Sequence, residues 1–176
     1  MKNIFKVLGA IGILSIMSCN SETSLQQYFV DHQNDNAFIA VDIPSSLLDK
    51  NEVDLSQDEK ETLESIKKVN FLALKLNDDL QSKYEEESEA INAILSNEKY
   101  ETLMRVGSNG TKAVIKFLGD EDEIDEVIVF AKHDEKGLAL VRVLGNNMKP
   151  EKIAKLVKTA EKMDLSAFKQ IADSFD

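Results

Sequence analysis

The sequence predicts an α+β domain, with a mixed or mainly antiparallel sheet of about six strands packed with helices. Three observations predict it. Four consecutive strand-like segments separated by turn signals run from Tyr100 to Leu144 and read as a C-terminal four-strand meander. Upstream, two apolar stretches, Ala37–Ile43 and Val69–Leu76, read as strands that alternate with helical segments. The absence of Trp, with only two Pro and a single Cys, leaves packed regular elements rather than disulfide staples to hold the fold.

Taken in order, the chain opens with Lys2 and Lys6 and then an uncharged run from Val7 to Met17. That run fits the apolar region of a signal peptide, typically about 7–15 residues. It is too short to span a bilayer as a helix, which needs about 20. Ile16, Met17 and Ser18 then precede Cys19. The order basic, apolar, small, cysteine resembles the lipobox of bacterial lipoproteins. That resemblance implies a leader over 1–18, cleavage after Ser18, and a lipid on the sulfur of Cys19. Residues 19–23 would form the lipidated tether and 24–176 a single domain. The expected address is the bacterial envelope, as an exported protein anchored at the outer membrane on its periplasmic face or at the cell surface. Each buried methylene contributes about 0.8 kcal/mol, so two or more acyl chains hold firmly without a transmembrane helix.

Ser24-Leu25-Gln26-Gln27 has the form of a capping box, and Leu25, Tyr28, Phe29 and His32 then share one helical face. His32 reads as the edge of that packed stripe. Asn34-Asp35-Asn36 ends the helix, and Ala37–Ile43, apolar on both faces, reads as a central strand closed by Pro44. Asp42 is its polar exception, expected to pair with a backbone donor or a lysine. Ser56-Gln57-Asp58-Glu59 opens a second helix reaching Lys68, with Leu63 and Ile66 inward. Asn77 caps a longer helix in which Leu80, Tyr84, Ile91 and Leu95 form the stripe and Glu85, Glu86, Glu87 and Glu89 a solvated face.

In the meander, Asn109-Gly110 supplies a hairpin turn, Gly119 to Glu123 the next, and His133 to Gly137 the last. Ala113, Ile115 and Phe117 share one face of their strand, with Lys112 and Lys116 on the other. Gly145-Asn146-Asn147 closes the fourth strand, and Pro150 stands at a first helical position. Ile153, Leu156, Val157 and Ala160 then share a helical face, as do Leu165, Phe168, Ile171 and Phe175 after Asp164.

The formal charge is −11, and loss of Lys2 and Lys6 with the leader makes the mature chain more acidic still. Such a surface repels nucleic acid and anionic headgroups, so no nucleic-acid partner is expected. The run Asp120–Glu126 fails as an EF-hand, because Ile124 falls where the third ligand belongs and Asp125 replaces the glycine. His133 beside Asp134 lacks an oriented nucleophile, and His-Glu-x-x-His, Walker and dinucleotide patterns are absent. The residues therefore supply no catalytic set, no metal set and no cofactor site. Arg142, inside the apolar strand Leu138–Leu144, must reach solvent or a carboxylate. Glu126 and Asp42 are the candidate partners, and anchorage of an anionic ligand is the functional alternative.

Four segments carry a family resemblance: Ser24–Phe29, Phe38–Pro44, Ser65–Asn70 and Ala139–Gly145. Together they resemble the domain-of-unknown-function family DUF4252, small lipoproteins of Bacteroidota. The resemblance spans the mature chain and rests on strands and caps, so it implies no active-site residues. It implies membrane attachment through acylated Cys19. That anchor, with no convergent nucleophile, base or metal set, leads to the expectation of a non-enzymatic domain that binds an envelope protein or a small ligand. Because some relatives are encoded near extracytoplasmic sigma-factor systems, an accessory role in envelope signalling is the alternative. A hydrolase of unrecognised geometry is a third reading.

Overall fold

Helix α1 (Leu25–His32) starts where Ser24 Oγ accepts the Gln27 N–H at 3.1 Å, satisfying one of the helix's unpaired first-turn donors. The other half of the expected capping box does not form. Gln27 instead donates along the helix to Asp31. A computed structural model describes residues 23–47, 56–120 and 122–153. Ile16, Met17, Ser18 and Cys19 lie outside the described residues, as do the helical positions expected from Leu156 to Phe175.

The strands are β1 (Phe38–Pro44), β2 (Ile66–Lys75), β3 (Glu101–Ser108), β4 (Thr111–Asp120), β5 (Glu123–His133) and β6 (Gly137–Met148). They form one six-stranded sheet in the order β1-β2-β6-β5-β4-β3, and every pairing is antiparallel. The meander β3–β6 thus leads back to β2, and β1 closes the other side. Helices α2 (Gln57–Ser65) and α3 (Gln81–Leu95) complete the described elements, with a further helical turn beginning at Pro150.

The expected central strand, β1, lies instead at an edge of the sheet. Phe38 packs into a core, while Ile39, Val41 and Ile43 are half-buried and Ala40 is exposed. The apolar pattern is thus independent of how many strands flank it. The helix expected to reach Lys68 stops at Ser65, and Ile66 enters β2 at once. A β-branched residue opposite Gly145 favours the pleated conformation there. At this same end of the sheet, β6 runs past Gly145 to Met148, which pairs with Ile124 and is fully buried. Asn147 takes a positive φ of 51° to allow it. The hairpin turn of β3–β4 has Asn109 at 49° and Gly110 at 80°, matching the right-handed twist of its strands.

Two hydrophobic cores lie on opposite faces of the sheet. On one, α1 and α3 bring Leu25, Phe29, Tyr84 and Ile91 onto Leu72, Ile128, Phe130 and Leu140. On the other, Leu63 of α2 and Ile153 meet Ile115, Phe117, Val127 and Met148. All three tyrosines, Tyr28, Tyr84 and Tyr100, belong to the first core. Burial raises each phenol above its usual value, and for Tyr28 the hydrogen bond to Glu87 adds to it. A raised folded value contributes stability that is complete below the unfolded value, about 10, and lost as pH rises beyond it. Alkaline titration is therefore expected to show tyrosinate absorbance emerging with loss of circular dichroism rather than ahead of it. Early titration of all three phenols in a still-folded protein would contradict this packing.

Candidate functional site

A cleft of about 580 Å³ opens between α1 and α3. Helix α3 contributes Glu86, Glu87, Ala90, Ala93 and Ile94, and the small side chains of Ala90 and Ala93 leave the space. Tyr28, Asp31 and His32 come from α1, and Thr23 and Ser24 form the rim. Asn97, Lys99 and Tyr100 close the end where α3 leads into β3.

Buried Glu87 organises one wall. Its Oε2 accepts the Tyr28 hydroxyl at 2.7 Å, and its Oε1 lies 3.1 Å from His32 Nε2. His32 Nδ1 sits 2.7 Å from the carbonyl oxygen of Tyr28, which can only accept, so Nδ1 carries a proton. One further proton then lies between Nε2 and Oε1, on the imidazole or on the carboxyl. The imidazole is also fixed by its rings' neighbours, Tyr28 at 4.1 Å and the edge of Phe38 at 4.8 Å between centroids. Lys83 stands behind this wall, 2.7 Å from Asp35 and 3.9 Å from Glu87. The Lys83 hydrogen bond, helped by the Ala37 N–H, holds Asp35 below the usual carboxylate range.

With both imidazole nitrogens engaged, His32 does not activate a nucleophile in this arrangement. The cleft is instead a rigid, half-apolar trough with acidic groups, Asp31 and Glu86, on its lip and Lys99 at its far end. That combination suits an apolar body carrying a cationic or hydrogen-bond-donating head. Glu87 was assigned by the sequence to the solvated face, and the structure buries it. The signal was present in its spacing, three residues after Tyr84 and four before Ile91.

The sequence-derived candidates Arg142 and Asp42 lie on the same sheet face, beneath the helices. Register places Asp42, Asn70, Arg142 and Ile128 side by side across β1, β2, β6 and β5. Arg142 Nη2 donates to Glu126 at 2.8 Å, and Nη1 donates to Gln26 of α1. Both charged groups are buried, so the guanidinium faces a carboxylate and a helix rather than a ligand space. Asp42 is exposed and accepts from Lys68 at 2.6 Å and from the Asn70 amide. Burial opposes ionisation of Asp42, but those two donors outweigh it and keep the carboxyl below its usual range. Asn70 thus separates the two residues that the sequence offered as partners.

Farther across that face, Lys116 donates to the carbonyls of Leu95 and Tyr100, tying the end of α3 to β4. Burial, then the nearby Arg105, lowers the Lys116 ammonium. His133 accepts the Glu135 N–H at its Nδ1 within the last hairpin turn, and Asp134 is exposed there. The described residues contain no group of three or more His, Cys, Asp or Glu that could hold a metal ion. Among them, no helix is long and apolar enough to cross a membrane.

Neither a curated protein nor a solved structure matches the chain. A family model matches residues 8–156, which take in Cys19, the whole sheet and every wall of the α1/α3 cleft. On that match the chain belongs to the family described as Domain of unknown function (DUF4252).

Proposed function

We propose that this chain is a lipid-anchored protein of the bacterial envelope that binds a partner in the α1/α3 cleft without chemical turnover. The observation that carries the reading is where the cleft opens. Its rim residues Thr23 and Ser24 follow Cys19 by four and five positions. An extended chain covers at most about 3.6 Å per residue, so the rim lies within roughly 18 Å of the acylated sulfur. An acyl anchor at Cys19 therefore holds the mouth of the cleft at the bilayer surface, where a membrane-borne amphiphile or the membrane-proximal part of a protein can enter.

Two further features support binding over catalysis. Tyr28, His32 and Glu87 satisfy one another, which makes a preformed wall that spends little ordering entropy on binding. The sequence motif at Ile16-Met17-Ser18-Cys19 supplies the address.

Affinity capture of the native lipidated protein from its own membranes tests the proposal. Ala93 lines the cleft and is otherwise exposed, so Ala93→Trp is expected to fill the trough and leave stability within about 0.5 kcal/mol. A component retained by the wild type and lost with Ala93→Trp supports cleft binding. Cys19→Ala is expected to move the protein to the soluble fraction. Equal recovery with and without the tryptophan would remove the cleft from the function, and an unacylated Cys19 in the mature protein would remove the anchor.

A further inference from the structure

On the sheet face that carries α1 and α3, a concavity of about 380 Å³ lies toward β3, beside Asn92 of α3. Val114 and Phe130 line it, and so do three cations, Arg105, Lys112 and Lys132. Register puts the cations together. Lys112 of β4 lies directly opposite Lys132 of β5. Arg105 of β3 lies opposite Val114, two residues along β4 from Lys112. Directly opposite side chains stand about 4.5–5.5 Å apart at Cβ, and diagonal ones about 7–8 Å. Gly107, the β3 partner of Lys112, has no side chain, so the space between the three stays open.

Among the described residues, no carboxylate lines this concavity, and no ion pair engages Arg105, Lys112 or Lys132. Lys116, farther along β4, is by contrast held by the carbonyls of Leu95 and Tyr100. Burial lowers its ammonium first and the charge of Arg105 second, so the field of Arg105 reaches across this face. Like charges set directly opposite across a sheet destabilise it. The chain carries a net charge of −11, yet none of its acids stands among these cations. Protection of the sheet edge does not require the arrangement. That device places lysines on the edge strand, here β3, whereas Lys112 and Lys132 lie one and two strands inward.

We propose that this concavity binds a small phosphate monoester, free or as a lipid headgroup, with its organic part against Val114 and Phe130. The planar fork of Arg105 meets two phosphate oxygens at once, and the two ammonium groups supply point charges for the third. Small-ligand sites span about 300–1,000 Å³, and this volume falls among them. The acidic remainder of the surface turns long polyanions away. No lining residue is shared with the α1/α3 cleft, so this site is independent of the function proposed for that cleft.

Amide resonances of the full-length chain, followed at fixed ionic strength while phenyl phosphate is added, test the proposal. Saturable shifts at Gly107, Lys112 and Lys132 are expected, with benzoate binding far more weakly. Arg105→Gln, Lys112→Gln and Lys132→Gln should each weaken phenyl phosphate about tenfold or more, the size of one charge-assisted hydrogen bond. Lys99→Gln, in the α1/α3 cleft, should leave it unchanged. Lys112→Gln also relieves the repulsion from Lys132, so its thermal midpoint should not fall. Short-chain phosphatidic acid binding more tightly than phenyl phosphate would make the source a lipid headgroup, and weaker binding would make it a free phosphate. Benzoate binding as well as phenyl phosphate, shifts that never saturate, or affinity unchanged in all three glutamine variants would each overturn the proposal.

Discussion

Replacing Arg142 with alanine is expected to cost about 3–5 kcal/mol, because it strands the buried Glu126 carboxylate without its partner. The side chains are only 11 % and 5 % exposed, so water cannot restore the lost interaction. Gln26 of α1 loses its donor in the same step, which removes a tie between α1 and β6. The double substitution Arg142→Met with Glu126→Leu should recover most of the loss. It removes both desolvated charges and returns apolar volume to a core that already holds Ile128 and Leu140. Urea unfolding of the two single variants and the double variant measures this directly. If Arg142→Ala costs less than about 1 kcal/mol, the pair is solvated and the packing described for α1 is wrong.

Gly137→Ala is the second substitution with a large expected effect. Gly137 begins β6 at φ +114°, and an added Cβ would stand 2.0 Å from the Leu74 carbonyl oxygen and 2.8 Å from the Leu76 nitrogen. Those are backbone atoms, so no rotamer change relieves the contact. The strands β2 and β6 must separate where Lys75 pairs with Gly137, and the φ itself is unfavourable for any residue with a side chain. A loss of several kcal/mol is expected, on the order of the largest point effects seen in domains of this size. Gly107→Ala is the control, since its nearest contact is the Thr111 carbonyl at 3.8 Å. It should change the thermal midpoint little, and equal loss from both would show that the close approach at Gly137 is not the cause.

Much of the architecture was legible because local signals agreed with one another. Asn109-Gly110 fixed one hairpin, and alternation in Ala113, Ile115 and Phe117 fixed the buried face of β4. Ser24 marked the start of α1 through a hydrogen bond of 3.1 Å. Asn77, expected to cap the longer helix, instead caps at 3.0 Å a separate 3-10 turn, Asp78–Leu80, and α3 begins after it at Gln81. The place of β1 at the edge was not legible. Strand order depends on which distant segments pair, and Phe38–Pro44 carries the same apolar pattern whether it has one neighbour or two. The helix-to-strand junction at Ser65–Ile66 was hidden for a related reason, since Ile66 is buried in either conformation.

The candidate site was less legible than the fold. Its central carboxylate, Glu87, sits in a run of acids, and composition drew it into the exposed group. Periodicity pointed the other way and agrees with the structure. His32 was placed at the edge of its stripe, and there it meets Glu87 across the interhelical gap. The partner of Arg142 was narrowed to two acids by chemistry. Only register could decide between them, since Asn70 occupies the position next to Asp42.

The order β1-β2-β6-β5-β4-β3 also dictates a sequence of assembly events. Hairpins β3–β4, β4–β5 and β5–β6 close through short turns, so they can nucleate early at little entropic cost. The β2–β6 seam must wait until α3 and three whole strands have been brought home, and it joins the two halves of the chain. Rate-determining structure should accordingly centre on β5 and β6. Truncations at Ile128 or Leu140 would slow refolding, whereas the same change at Phe38, on the edge strand outside the β3–β6 meander, would mainly hasten unfolding.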